Sequence, residues 1–379
     1  MSTPPRKLDH IRVVLDSPIE YSDVTTMFEH VNFVPSAIHE LDLNSIDTSM
    51  YFLGKKLSAP IIITGMTGGH EVAAKINCTI AKVAEEVGVA MGVGSQRAAI
   101  EDDSLSYTFR VARDCAPSIP IIANLGIPQI AREYGIKEAW KAINMVDADA
   151  LAIHLNIAQE VFQPEGDINF ANALTKLSEI ALELEVPIIV KETGQGINME
   201  VAYLLYQNGI RFFDVAGAGG TSWILVEGYR SKKTSTILYE SSKNFSSWGL
   251  PTLLSLVETR WAAPSSCIIA SGGIRTGYDA SKAIALGADL VGLALPVLKA
   301  YAQKGLDGVK DLLKRIIFEL KATLFIAGAK NLNELRRRPI ILEPVLIGTL
   351  SQRGIDVNLY LQGTRLFKDH GEACNKGIH

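Results

Sequence analysis

The chain has 379 residues, a formal net charge of -4, 47% hydrophobic and 21% charged residues, a balance that excludes a disordered chain and can supply a large core. Basic residues are locally dense only in RKLDH (6–10) and ELRRRP (334–339), so no polyanion-wrapping surface and no nucleic-acid partner are expected. No apolar run approaches the roughly 20 residues of a membrane span, and MSTPPRKLDH lacks the apolar centre of a signal peptide; the expectation is a soluble cytoplasmic protein with no membrane partner.

After an extension of about 55 residues, eight apolar, β-rich runs follow in chain order: PIIITG from Pro60, VAMGVGS from Val89, PIIANLG from Pro120, DALAIHLN from Asp149, PIIVKETG from Pro187, FFDVAGAGG from Phe212, CIIASGG from Cys267 and LVGLALP from Leu290. Helical periodicity fills the spaces between them, as in EVAAKINCTIAKVAEEVG, so the pattern is strand then helix throughout. The runs are apolar on consecutive positions, as strands covered on both faces are. Eight such units predict an α/β fold, a TIM (β/α)8 barrel, with a doubly wound open sheet as the weaker alternative. About 55 residues separate the sixth and seventh runs, against about 23 to 38 elsewhere, so TSWILVEGYRSKKTSTILYESSKNFSSWG (221–249) is an insertion, a lid or an oligomer contact. The division is an N-terminal extension over 1–55, a barrel over 56–345 and a C-terminal tail over 346–379, whose end has no periodicity and is expected to be mobile. Cys78, Cys115, Cys267 and Cys374 show no CxxC or Cys/His spacing, which favours buried or incidental thiols over disulfides or metal ligands.

Barrel enzymes build their sites at the C-terminal ends of the strands. The endings here are TGMTGGH, GSQR, NLG, HLN, KETGQG, AGAGGT, SGGIRTG and ALP, each small, glycine-rich or amide-bearing. Turn and cap preferences explain any one of them, but not all eight together. SGGIRTG (271–277) with GLALP (292–296) fits the phosphate site that barrels form after strands seven and eight; the phosphate could be that of a substrate, a flavin or a sugar phosphate. Lys191 in VKETG suits a Schiff-base nucleophile, a proton-transfer group or a fixed charge beside an electron-rich ring, among apolar walls. Asn124 and Ser95 are neutral groups suited to the edge of a heteroaromatic cofactor. Glu160 in HLNIAQE (154–160) suits a divalent metal bridging to a phosphorylated substrate, or else a helix N-terminal acid. Arg6, Lys7 and His10 could counter such a phosphate and Arg97 grip it.

RKLDH, GMTGG, GSQR, NLG, HLNIAQE, VKETG, GAGGT, SGGIR and GLALP, in this order from about Arg6 to about Thr349, resemble type 2 isopentenyl-diphosphate isomerases, the flavin-dependent family. The resemblance implies a barrel carrying FMN, reduced by NADPH and assisted by Mg²⁺, that interconverts isopentenyl and dimethylallyl diphosphates, and a homo-oligomer, tetramer or octamer. It places Thr64, Gly65, Met66 and Thr67 under the flavin ring, with Ser95, Asn124, Lys191 and Thr221 at its edges. The FMN phosphate falls to the backbone of Gly272, Gly273, Arg275, Ala294 and Leu295. Isopentenyl diphosphate falls to Arg6, Lys7, His10, Ser95, Gln96, Arg97, His154 and Asn156, with Glu160 on the metal, Gln159 at the allylic end, and Gln159, Lys191 and His154 as catalytic candidates. Two rival enzyme classes fit less well. FMN-dependent 2-hydroxy acid oxidases need a histidine base near the end of strand six or seven, where AGAGGTSW and ASGGIRTG have none. Inosine-monophosphate-dehydrogenase-like chemistry needs a cysteine nucleophile in a barrel loop, and no cysteine stands in one. A non-catalytic phosphate-binding module is the third alternative.

Overall fold

The computed structural model describes residues 3–366 and 370–375. Eight parallel strands close into a barrel: β1 (Ile61–Ile63), β2 (Ala90–Gly92), β3 (Ile121–Gly126), β4 (Ala150–Leu155), β5 (Ile188–Glu192), β6 (Phe212–Asp214), β7 (Cys267–Ser271) and β8 (Leu290–Leu293), with β8 paired back to β1. Each coincides with one of the eight apolar runs, and the packing explains why those runs do not alternate in polarity. Ile62, Ala90, Ile122, Ala150, Ala152, Ile189, Phe212, Ile269 and Leu290 fill the barrel interior, whereas Ile61, Ile63, Ile121, Leu151, Ile153, Val190, Phe213, Ile268 and Val291 join the core beneath the outer helices. Side chains still alternate between faces with a period of two, but both faces are apolar.

The N-terminal end of the barrel carries a duplicated device. Arg113, which precedes β3, bonds the carbonyls of Ile119 and Asp147 and pairs with Asp149 at 2.7 Å, and Asp149 accepts the N–H of Ile121. Arg260, which precedes β7, bonds the carbonyls of Ser266 and Gly287 and pairs with Asp289 at 2.6 Å, and Asp289 accepts the N–H of Ile268. The two networks are offset by four strands, half the barrel, and each pins one strand start to the next with a charge-assisted bond.

The extensions pack on the barrel. Val31–Phe33 pairs antiparallel with Ile340–Leu342, which joins the two ends of the chain. The hairpin Met50–Phe52/Lys55–Leu57 sends Phe52 and Leu57, both fully buried, into the interior cluster and closes the barrel floor. The C-terminal region also packs on the barrel: Val357–Gln362 is a helix whose Tyr360 is buried and donates to the Leu286 carbonyl at 2.5 Å, and within the aperiodic last stretch His370–Asn375 is helical and Cys374 sits in the interior cluster. The cysteine expectation is corrected. Cys78–Cys115 and Cys267–Cys374 are disulfides across Cα separations of 5.5 and 5.0 Å, within bridging geometry, because the fold joins residues 37 and 107 positions apart. Among the described residues no helix is long and apolar enough to cross a membrane.

Candidate active site

A cavity of about 1500 Å³, open to solvent, lies at the C-terminal ends of the strands. It brings together Lys7, His10, Thr64, Gly65, Met66, Thr67, Ser95, Arg97, Asn124, His154, Asn156, Gln159, Glu160, Lys191, Thr221, Gly272, Gly273, Arg275, Ala294 and Leu295. Two predicted residues stand apart. The side chain of Arg6 lies outside the described residues. Gln96 is fully buried and does not line the cavity: its amide donates to Ala142 O at 2.8 Å and its Oε1 accepts Asn124 N at 2.8 Å, so it braces β3 from behind.

One end of the cavity is made by backbone. Gly272 and Gly273 follow β7 with φ of 99° and 75°, a region that favours glycine, and a Cβ at 273 would run into Thr26 and Gly219. Opposite them the helix beginning at Leu295 starts without a side-chain cap, its first turn at the cavity wall. Glycine-turn amides and a helix N-terminus are a ready anion site. Arg275, whose backbone was expected to meet the phosphate, is engaged at both ends: its N–H donates to Asp279 Oδ2 at 3.2 Å and its guanidinium pairs with Glu20 at 2.5 Å.

In the middle, Lys191 does not sit among apolar walls. Register places His154, Lys191 and Asp214 side by side on β4, β5 and β6. Lys191 Nζ lies 3.1 Å from Asp214 Oδ2 and donates to Glu192 O at 3.0 Å, while Ser271 donates to the other oxygen of Asp214 at 2.5 Å. This buried pair holds the ammonium at a fixed point on the cavity floor. Nearby, Thr67 Oγ1 is buried with no partner among the described residues and belongs to a residue that lines the cavity. Such an orphan fits a polar cofactor edge.

The far end is rich in amides and charge. His154 Nδ1 lies 2.7 Å from Asn124 Oδ1; an amide oxygen only accepts, so Nδ1 carries the proton. Glu160, 6% exposed, accepts from Asn156 Nδ2 at 2.7 Å, Gln163 Nε2 at 3.2 Å and Asp167 N at 2.7 Å. Asn156 Oδ1 is left buried with no partner among the described residues. A carboxylate beside an orphaned amide oxygen suits a hard cation that takes its remaining ligands from water and phosphate.

The helix Thr3–Asp16 covers this end, with Lys7, His10, Ile11 and Val14 on one face toward the cavity, as i, i+3, i+4 and i+7 spacing dictates. The insertion supplies the wall beside it: Trp223 packs edge-on against the His10 ring at 5.2 Å. Glu227, from the same helix Trp223–Ser231, is fully buried and accepts from Gln159 Nε2 at 2.8 Å, stands 2.9 Å from His10 Nε2, and pairs with Arg230. Burial opposes charge on Glu227, but His10, Arg230 and Gln159 outweigh it and hold its carboxyl down at about 2. Burial also lowers His10, below the ordinary imidazole range, and the Glu227 carboxylate offsets this only in part. The sequence reading missed Glu227, Asp214 and Trp223. Asp214 carried a signal, a carboxylate inside the apolar run FFDVAG; Glu227 carried none, since nothing local ties it to Gln159.

Residues 2–104 and 167–342 match the family of FMN-dependent dehydrogenases. The unmatched stretch holds Asn124, His154, Asn156, Gln159 and Glu160, the amide end of the cavity. An isopentenyl-diphosphate delta-isomerase of Sulfurisphaera tokodaii is 49% identical over 94% of this chain and 96% of its own length. Enzymes of the same name from Ignicoccus hospitalis (50%; 94% and 98%) and Methanosarcina barkeri (43%; 95% and 97%) are similarly close. Among solved structures, a mandelate oxidase variant shares the fold with a TM-score of 0.61 at 18% identity, covering 88% of this chain and 98% of its own.

Proposed function

The chain belongs to the isopentenyl-diphosphate delta-isomerases within the FMN-dependent dehydrogenase family, and on that premise we propose that it interconverts isopentenyl and dimethylallyl diphosphates by an allylic proton shift over reduced FMN, with Mg²⁺ on the diphosphate and NADPH reducing the flavin. The observation that carries this reading is one cavity with two anion-suited ends, the Lys191 ammonium fixed between them and Ile11, Val14, Trp223 and Leu298 on its walls. FMN, when bound, would supply an electron-rich ring and a proton donor. Gly272, Gly273, Ala294 and Leu295 would hold its phosphate, and Thr67, Ser95, Asn124 and Thr221 its ring edges. Glu160 with Asn156 would hold Mg²⁺.

The protein's own contribution is binding, orientation and exclusion of water. Shifting the double bond puts a proton on one carbon and removes one from another through a cationic species that water would trap. Ile11, Val14, Trp223 and Leu298 line the cavity and keep the hydrocarbon dry. Lys7, Arg97 and His154 supply positive or donor groups to the diphosphate, fixing the alkene at one height. Lys191 sets a fixed positive charge where the electron-rich ring would lie. Gln159, its amide N–H engaged by Glu227, would offer its carbonyl oxygen to the allylic end of the substrate. A 2-hydroxy acid oxidase reading finds no support, since the histidines that line the cavity are His10 and His154, on the N-terminal helix and β4.

The test is turnover of isopentenyl diphosphate by the purified protein with FMN, with and without NADPH under anaerobic conditions and with and without Mg²⁺. Activity only with all components is expected. A colourless protein that takes up no FMN, or turnover unaffected by flavin reduction, overturns the reading. The same reading makes the protein a homo-oligomer, tetramer or octamer, which sedimentation would establish.

A further inference from the structure

We propose that Gln129, a residue outside the recognised motifs, is a diphosphate-binding side chain and takes the place expected of Gln96. The proposal rests on the reading that the β3/β4 end of the cavity receives the diphosphate.

Gln129 lies in the short helix Ile127–Arg132 that follows β3, 8% exposed, and lines the cavity. Its side-chain amide makes no hydrogen bond among the described residues, whereas most buried amides are partnered. Gln96, by contrast, has both ends of its amide engaged and its own N–H on Asn124 O at 2.9 Å. Of the two glutamines, only Gln129 has hydrogen-bonding capacity to offer a ligand.

Gly126 shows that this placement is built. Its φ of -95° is open to any residue, so conformation does not require glycine there. Space does: a Cβ at 126 would collide with Gln129 Oε1 and lie 2.9 Å from His154 Nε2. The missing methyl lets both polar heads converge on one point at the cavity wall. The Nε2 edge of His154, whose Nδ1 is held 2.7 Å from Asn124 Oδ1, lies beside that point. Gln129 places its Oε1 there; with no partner among the described residues holding the amide, a half-turn brings its N–H to the same point as a donor to a phosphate oxygen. The alternative occupant, a flavin ring edge, becomes an outcome of the test.

Gln129→Ala and Gln129→Glu are compared with Arg97→Ala in the FMN-loaded enzyme, by KM and kcat for isopentenyl diphosphate and by calorimetric titration with inorganic pyrophosphate and Mg²⁺. Loss of one hydrogen bond to a charged oxygen weakens binding about 10- to 100-fold, so Gln129→Ala should raise KM and the pyrophosphate Kd by that factor with kcat within about threefold. The near-isosteric glutamate should be worse, since it replaces a donor by a like charge. FMN affinity should stay at the parental value. If Arg97→Ala weakens pyrophosphate but neither Gln129 variant does, or if Gln129→Ala lowers FMN affinity instead, the assignment is overturned while the reading of the site stands. If no variant alters pyrophosphate binding, the reading itself fails. Should the alanine variant not fold, Gln129→Glu alone decides between these outcomes.

Discussion

Gln159 donates its amide to a fully buried, ionised carboxylate, Glu227, so its orientation is set by a hydrogen bond with one charged partner, stronger than an ordinary neutral pair. On the proposed reading, replacing it by alanine removes a positioned group near the hydrocarbon and leaves the diphosphate contacts intact. Loss of a proton-shuttling or orienting partner costs about 10² to 10⁴ in rate, whereas loss of an anchoring contact chiefly raises KM. Gln159→Ala should therefore lower kcat with near-parental KM and an unchanged flavin spectrum. A parental kcat with a tenfold higher KM would make Gln159 an anchor instead. HLNIAQE made this residue and Glu160 legible because its polar side chains crowd a strand end. The partner was not legible: Glu227 lies 68 positions away on an inserted helix, and only the closed barrel puts the two side by side. Gln96 failed in the opposite sense, since its motif was right but its side chain turns inward, a choice set by packing rather than by residue type.

At the level of elements, all eight strands could be read from continuous apolar runs because parallel strands covered on both faces have no other signature. The half-barrel equivalence could not, since the two networks share little beyond an arginine and an aspartate, 36 positions apart in one and 29 in the other. Their geometry nonetheless predicts a graded response. Arg260 and Asp289 are at most 1% exposed, and removing the arginine leaves a buried carboxylate whose next cation, Arg336, is 3.6 Å away. Breaking such a pair from one side costs about 3–5 kcal/mol. Asp149 is 18% exposed and keeps Lys55 at 2.7 Å, so its network retains a counter-ion. Arg260→Ala should thus lower the urea midpoint clearly more than Arg113→Ala, with flavin uptake spared in both because the networks stand at the opposite barrel end from the cavity. Equal or reversed losses would refute that ranking.

For the molecule as a whole, stability is distributed between the barrel and the chain ends that close its floor. Cys374 enters the interior cluster beside Phe52 and Leu57, Leu53 N–H bonds Cys374 O at 2.8 Å, and the disulfide to Cys267 fixes the tail to the start of β7. No sequence pattern announced this, because the partners are 107 positions apart and thiol spacing speaks only for local motifs. In the chain-entropy view a crosslink restricts the unfolded state more as its loop lengthens, so this bridge should stabilise more than Cys78–Cys115, which spans 37 positions. Each removes roughly 2–5 kcal/mol when lost. For a chain of this length, losing both should lower Tm by roughly 5–10 °C. The chain isolated without reductant should have no titratable thiol before unfolding and reduction, and Cys374→Ala should lose more thermal stability than Cys78→Ala. KM and kcat at 25 °C should be unchanged in both, since neither bridge touches the cavity. Four reactive thiols in the unreduced, unfolded chain would remove the bridges from the account; a larger loss from Cys78→Ala would show that strain or packing at each bridge outweighs the length of the loop it closes.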